Sequence, residues 1–151
     1  MGQEIERKFL LKTLPPDFDQ NGGFRIEQGY LATEPHGLQV RLRKKGEKAF
    51  LTCKRGLGIV REEHEIELSD VQFETLWPLT AGRRLVKRRH EIPYRGHLVE
   101  IDVYERTNQG LIVAEVEFET EAAAAAFIPP GWFAQEISGN PEYSNRNLAR
   151  E

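Results

Sequence analysis

The sequence predicts a mainly β fold (α+β once its few helices are counted), an antiparallel barrel of about eight strands that is closed or nearly so. Three observations lead there. Polar and apolar residues alternate with a period of two along most of the chain, beginning with Glu4-Ile5-Glu6-Arg7-Lys8-Phe9, the pattern of a half-exposed strand. Turn signals break the alternation at short intervals. The connections between successive strands are brief, which favours antiparallel pairing, and closing the sheet removes its edges. The 151 residues suffice for one domain, residues 1–151, with a sizeable core.

The strands fall near residues 3–11, 25–33, 38–44, 49–55, 59–68, 84–92, 98–105 and 111–119. Pro35-His36-Gly37, Lys45-Gly46, Gly56-Leu57-Gly58, Arg95-Gly96 and Asn108-Gln109-Gly110 supply the turns. Three helices interrupt the series. Ser69-Asp70-Val71-Gln72 reads as a capping box ahead of Phe73, Leu76 and Trp77, with a stop at Pro78. Thr120-Glu121 precedes an alanine run that favours helix, and Pro129-Pro130 ends it. Asn140-Pro141 starts a last short helix, with Asn as cap and Pro in the first turn.

Composition excludes several classes. A net charge of -3 gives no reason to expect nucleic-acid binding, which uses a basic surface. Cys53 is the single cysteine, so no internal disulfide forms, and with scattered His36, His64, His90 and His97 it makes no structural zinc site. No run approaches the ~18 apolar residues of a membrane helix. The sequence opens on a charged strand pattern rather than a signal-peptide core. The expected location is the cytoplasm, with no membrane partner.

Side chains two apart on a strand share a face. One set of faces carries Glu4, Glu6 and Lys8; Arg41 and Arg43; Thr52 and Lys54; Glu63 and Glu65; Lys87 and Arg89; Glu100 and Asp102; Glu115 and Glu117. The other carries Ile5, Phe9, Val40, Leu42, Leu51, Ile66, Val99, Ile101, Val116 and Phe118, with Arg7, His64 and Arg88 as interruptions. The period admits two orientations. The ordinary one puts the charges in water. The inverted one puts them inside and gives the helices bearing Phe73, Trp77 and Phe127 an apolar exterior to cover. On period alone the ordinary orientation is the better reading; same-sign pairing within strands pushes toward the second, and the choice stays open at this point. Interior charges in such number must be paired, wet or bound to ions. Carboxylate groups without Cys or His suit Mg2+ or Mn2+, and the bases suit phosphate oxygens. The acids outnumber the bases, so the interior is balanced only with metal and polyanion together, a triphosphate bringing about four to five negative charges.

Glu4-Ile5-Glu6-Arg7-Lys8 resembles the E-x-E-x-K signature of the CYTH superfamily, the triphosphate tunnel metalloenzymes. The likeness runs on through QGYL, RLR, TCK, REEHEIEL, VKRRH, VEIDVY, LIVAEVEF and SGNPEYSNRNLA, essentially the whole chain, and is strongest to short bacterial members. The resemblance implies an eight-stranded closed barrel with a charged interior and helices packed outside. It implies metal ligands at Glu4, Glu6, Glu115 and Glu117, with Asp102 as a further candidate, and a divalent cation, Mg2+ or Mn2+, two in number. It implies triphosphate contacts from Lys8, Arg41, Arg43, Lys54, Lys87 and Arg89. Glu63 and Glu65 are expected to bind metal or position water. Tyr30 matches an active-site position, although a packed core tyrosine reads equally well, and Lys87 is a candidate for stabilising the leaving oxygen.

The expected reaction is metal-dependent hydrolysis of inorganic tripolyphosphate to diphosphate and phosphate. Class IV adenylate cyclase and thiamine triphosphatase, acting on ATP and thiamine triphosphate, are the rivals within the family. A non-catalytic polyphosphate or nucleotide-triphosphate binding module is the rival outside catalysis; retention of both acidic pairs argues against it. A homodimer is compatible with the resemblance, but the apolar outer strands and Trp132-Phe133 can equally be covered within one chain.

Overall fold

The alternation that opens the sequence becomes the strand on which the barrel closes. The computed structural model describes residues 2–35 and 37–151, so His36 in the second turn lies outside the described residues. Strand β1 (Gly2–Leu11) is followed by β2 (Phe24–Thr33), β3 (Gln39–Lys45), β4 (Lys48–Arg55), β5 (Val60–Leu68), β6 (Arg84–Tyr94), β7 (His97–Tyr104) and β8 (Ile112–Phe118). The sheet order is β5-β4-β3-β2-β6-β7-β8-β1, and a β5–β1 pairing closes it, with every pairing antiparallel. The barrel expected from the sequence is therefore observed. Its hairpins follow turn chemistry: β6 and β7 meet across Arg95 and Gly96 at φ 47° and 80°, the positive pair that a two-residue primed turn requires.

A ninth strand among the described residues, β9 (Phe133–Glu136), was not announced by the periodicity. It joins β1 at Phe9 and Leu11, on the edge that β5 leaves free after pairing over Gly2–Ile5. Phe133 is buried with Phe9 and Phe127, and Trp132 packs half-buried against them. That aromatic pair is thus covered within the chain.

The barrel has its apolar side outward, which settles the orientation left open by strand period. Helix α1 (Asp70–Leu76) starts at the expected capping box: Ser69 Oγ accepts from the Gln72 N–H, and the Gln72 side chain accepts from the Ser69 N–H. It lays Phe73 on Leu42 and Ala49. The 3-10 turn Trp77–Thr80 then lies directly on β2, because a Cβ at Gly29 would stand 2.6 Å from the Thr80 side chain. Helix α2 (Glu121–Ala126), capped by Thr120, covers Ile5, Phe9 and Val116 with Ala124 and Phe127. Arg7, the charge that interrupts this apolar face, is fully engaged. It donates to both Glu136 oxygens at 2.9 and 2.7 Å and to the carbonyls of Ala124 and Phe127 at 2.8 and 3.2 Å.

Residues 137–149 form a stopper. Asn140 caps a 3-10 turn at Pro141–Tyr143, and Ser144 caps α3 (Asn145–Leu148). Ile137, Leu148 and Ala149 pack on Tyr30, Leu85, Tyr104 and Val113, inward residues of four strands. The Tyr104 hydroxyl donates to Asn145 Oδ1, and Asn108 Nδ2 donates to the Leu148 carbonyl at 2.7 Å. The expected short helix is present, but its place inside one end of the barrel makes the interior a cup rather than an open tube.

Candidate active site

Above the stopper lies a cavity of about 410 Å³, within the range of small-ligand sites. Strand parity delivers its walls: Glu4, Glu6 and Lys8 from β1; Tyr30 from β2; Arg41 and Arg43 from β3; Lys54 from β4; Glu63 and Glu65 from β5; Arg89, Glu100, Glu115 and Glu117 from β6 to β8. The structure thus brings together the expected site residues with two exceptions. Lys87 and Asp102 do not line the cavity; both are fully buried behind its wall. Asp102 was expected as a metal ligand, yet both its oxygens are taken, Oδ1 by Arg89 Nε at 2.7 Å and Oδ2 by Lys87 Nζ at 2.7 Å and Arg89 Nη2 at 2.9 Å. Burial alone would raise its pKa, but the two cations hold it well below the usual range.

The remaining charges divide into spoken-for and open groups. Arg89 also reaches Glu100 at 3.1 Å and Glu115 at 3.3 Å. Despite burial and the nearby Asp102, the cations Lys87, Arg89 and Lys8 take Glu115 down to about 2. Lys54 donates to Glu4 at 3.0 Å and stands 3.3 Å from Glu63. Lys8 Nζ donates to the Tyr143 carbonyl of the stopper at 2.6 Å. Thr52 Oγ1 donates to Glu65 at 2.7 Å.

A carboxylate cluster and one guanidinium, Arg43, are left under like-charge repulsion. Glu6 sits directly opposite Glu117 on the β1–β8 ladder, a placement in which like charges destabilise the sheet. Burial, then Glu115 and Glu4, push the Glu6 carboxyl up to about 8. Glu117 is raised by burial and by Glu4, Glu100 and Glu63, and Glu100 is raised chiefly by burial. Across the cavity, burial and the neighbouring Arg41 and Arg89 lower Arg43 to about 10. The Arg41 Nε is buried without a hydrogen-bond partner. Lys87, behind the wall, is lowered to about 8, again chiefly by burial.

The carboxylate cluster lacks a counterion. Opposite it, despite burial, Arg41 is raised by Tyr30, Glu63 and Glu4, and Arg43 donates Nε to Gln28 Oε1 at 3.2 Å, neither forming an ion pair with the described residues. Among the described residues no three carboxylate, imidazole or thiol groups already converge as an ion cage. The donor set nevertheless fits a hard divalent cation: oxygen ligands, two of them unpaired, with pKa values raised by burial and then by neighbouring carboxylates, both of which a cation offsets. Open guanidiniums opposite them fit phosphate oxygens.

The sequence reading missed Gln39, Lys45, Arg61 and several stopper residues, among them Tyr143, Asn145 and Arg146, all of which line the cavity. Arg61 had a usable signal, since it shares strand parity with Glu63 and Glu65. The stopper residues had none, because no strand period places them. No helix among the described residues is long and apolar enough to cross a membrane.

Comparison with known proteins agrees with this geometry. An inorganic triphosphatase of Nitrosomonas europaea is 43% identical over 148 residues, spanning 97% of this chain and 96% of its own. An inorganic triphosphatase of Acetivibrio thermocellus is 31% identical over 157 residues, spanning 99% and 95%. A crystal structure of an inorganic triphosphatase superposes with a TM-score of 0.71 at 41% identity, covering 99% of this chain and 95% of that one. The family model of the CYTH domain matches residues 2–143. From the acidic β1 strand to the turn that begins the stopper, this chain belongs to the CYTH domain family.

Proposed function

We propose that the cavity binds inorganic tripolyphosphate and hydrolyses it to diphosphate and phosphate, using Mg2+ or Mn2+, two ions in the full complement. One observation carries the reading. A cluster of carboxylates wanting a cation shares one stoppered cavity with Arg41 and Arg43, guanidiniums in no ion pair with the described residues. The two relatives named inorganic triphosphatase support the same reaction.

Family membership implies a divalent metal, and Glu4, Glu6, Glu115 and Glu117 would hold it. When bound, the ion supplies positive charge to the phosphate oxygens as the anhydride breaks. Arg41 and Arg43 offer forks of N–H donors to the phosphate chain, with Lys8, Lys54 and Arg89 adding charge that their carboxylate or carbonyl partners hold in position. Phosphoryl transfer depends mainly on such positioning and electrostatics. Glu63 and Glu65 face the cavity with one oxygen each tied to Lys54 or Thr52, leaving acceptors free to orient water. Tyr30 flanks Arg41 on the adjoining strand. Lys87 acts from behind the wall: with Asp102 it fixes the plane of the Arg89 guanidinium.

The test is phosphate release from tripolyphosphate, ATP and thiamine triphosphate in parallel, with Mg2+ or Mn2+ and with chelator. Fast release from tripolyphosphate that chelator abolishes is the expected result. Release from ATP or thiamine triphosphate at a higher rate, or no release from any of them, overturns the proposal.

A further inference from the structure

One buried amide is left without a part in this chemistry. Gln28 lies on the inward face of β2, two residues before Tyr30, and is fully buried. It does not line the cavity, yet both ends of its amide touch residues that do. Oε1 accepts from Arg43 Nε at 3.2 Å, and Nε2 donates to the Tyr30 hydroxyl oxygen at 3.3 Å. The first contact fixes the second. A guanidinium has donors only, so the carbonyl end of the amide must face Arg43 and the NH2 end must face Tyr30.

The Tyr30 oxygen has another donor beside it. Arg41 is the direct partner of Tyr30 across the β2–β3 ladder, close enough that, despite burial, the tyrosine raises its guanidinium. A guanidinium meets a phenol oxygen only as a donor. The ring cannot swing away, because Ile137, Leu148 and Ala149 of the stopper pack against it. Donors therefore face the oxygen from two sides, and none of the described residues accepts the hydroxyl hydrogen. The direction left for that hydrogen is the cavity, which Tyr30 lines.

We propose that Gln28 is a positioning residue that aims the Tyr30 O–H into the cavity, by holding the tyrosine oxygen with a group that cannot accept its proton. The inference rests on tripolyphosphate being hydrolysed there. An O–H aimed at the phosphate chain donates a hydrogen bond that strengthens as charge builds on the leaving oxygen. The amide is essential to this. A carboxylate of the same size would answer Arg43 with a full charge, but its other oxygen would accept the Tyr30 proton and turn the hydroxyl away from the substrate. That constraint accounts for a neutral, fully buried amide in a wall of charged side chains.

The experiment compares wild type, Gln28→Glu, Gln28→Met, Tyr30→Phe and the double variant Gln28→Glu/Tyr30→Phe. Two quantities are read: kcat for tripolyphosphate with Mg2+, and, in chelator, the carbon NMR resonance of the tyrosine Cζ, which reports whether the hydroxyl donates or accepts. Tyr30→Phe assigns the Tyr30 signal among the four tyrosines. Gln28→Glu should move that signal, and it should lower kcat at least ~10-fold more with Tyr30 present than with phenylalanine there. Its ion pair with Arg43 acts in both backgrounds and cancels from the comparison. Gln28→Met removes the amide without supplying an acceptor, so it should cost less kcat than Gln28→Glu. Equal losses from Gln28→Glu in the two backgrounds would overturn the proposal, as would an unmoved Tyr30 signal. So would a methionine variant slower than the glutamate one, the order expected of a residue that serves Arg43 alone. Should Gln28→Glu fail to fold, Gln28→Met decides: its Tyr30 signal should still move, because the oxygen has lost a donor, and an unmoved one overturns the proposal. A wild type that binds tripolyphosphate without hydrolysing it would sink the parent reading alone, since the Cζ resonance still decides where the hydroxyl points.

Discussion

Replacing Glu6 with glutamine should make the protein more stable and inactive at once. In the metal-free cavity the Glu6 carboxyl is pushed up to about 8 by burial, Glu115 and Glu4. A carboxyl whose folded pKa lies above its unfolded value stabilises the fold below the unfolded pKa, and that contribution is lost as pH rises through the folded pKa. The window here runs from 4.5 to about 8. At ~1.4 kcal/mol per pH unit the ionised form stands several kcal/mol above its level in water; discounted for contact with cavity solvent, this leaves ~2 kcal/mol at pH 8.5. Urea unfolding in chelator should therefore show Glu6→Gln more stable than wild type by about that amount at pH 8.5, with the gap closing near pH 5. Added Mg2+ should stabilise wild type and leave the variant almost unmoved, while phosphate release falls at least ~100-fold. A variant less stable than wild type at pH 8.5 would refute the argument that Glu6 is a strained carboxylate awaiting a cation.

Two other outcomes follow from the geometry. Arg41→Gln removes donors whose Nε has no protein partner, so KM for tripolyphosphate should rise ~10- to 100-fold with the melting temperature little changed; an unchanged KM would take Arg41 off the substrate. Leu148→Ala removes an apolar contact between the stopper and the barrel end. It should cost ~2–4 kcal/mol in urea unfolding, and a loss below ~1 kcal/mol would mean the stopper is not a packed part of the fold.

Much of this molecule was legible because strand parity is a strict period. Glu4, Glu6, Arg41, Arg43, Glu115 and Glu117 reach one cavity for the same reason that Ile5, Leu42 and Val116 reach the outer wall. Parity fixes a face and says nothing of depth. Lys87 and Asp102 share the inward face with Arg89, yet the pair sinks behind the wall because each is the other's counterion. Nor does parity choose which face is inside; family resemblance supplied that, and the helix-covered apolar wall bears it out. The stopper was illegible for another reason. Ile137, Leu148 and Ala149 have no common period, and their burial exists only once four strands present Tyr30, Leu85, Tyr104 and Val113 to receive them.

Strand β1 has a further consequence, in the order in which the chain is made. It is made before every other strand of this sheet, but it pairs with β5, β8 and β9 and with no strand near it in sequence. The edge that takes β8 stays unpaired until residues 112–118 are made, the state in which a strand recruits wrong partners. Glu4, Glu6, Arg7 and Lys8 make that waiting strand a poor template, because alternate and adjacent charges oppose edge-to-edge stacking. The charges of this strand, among them the three proposed for metal and phosphate, would thus double as gatekeepers against aggregation, and neutralising several of them together should tax folding yield before it reaches catalysis.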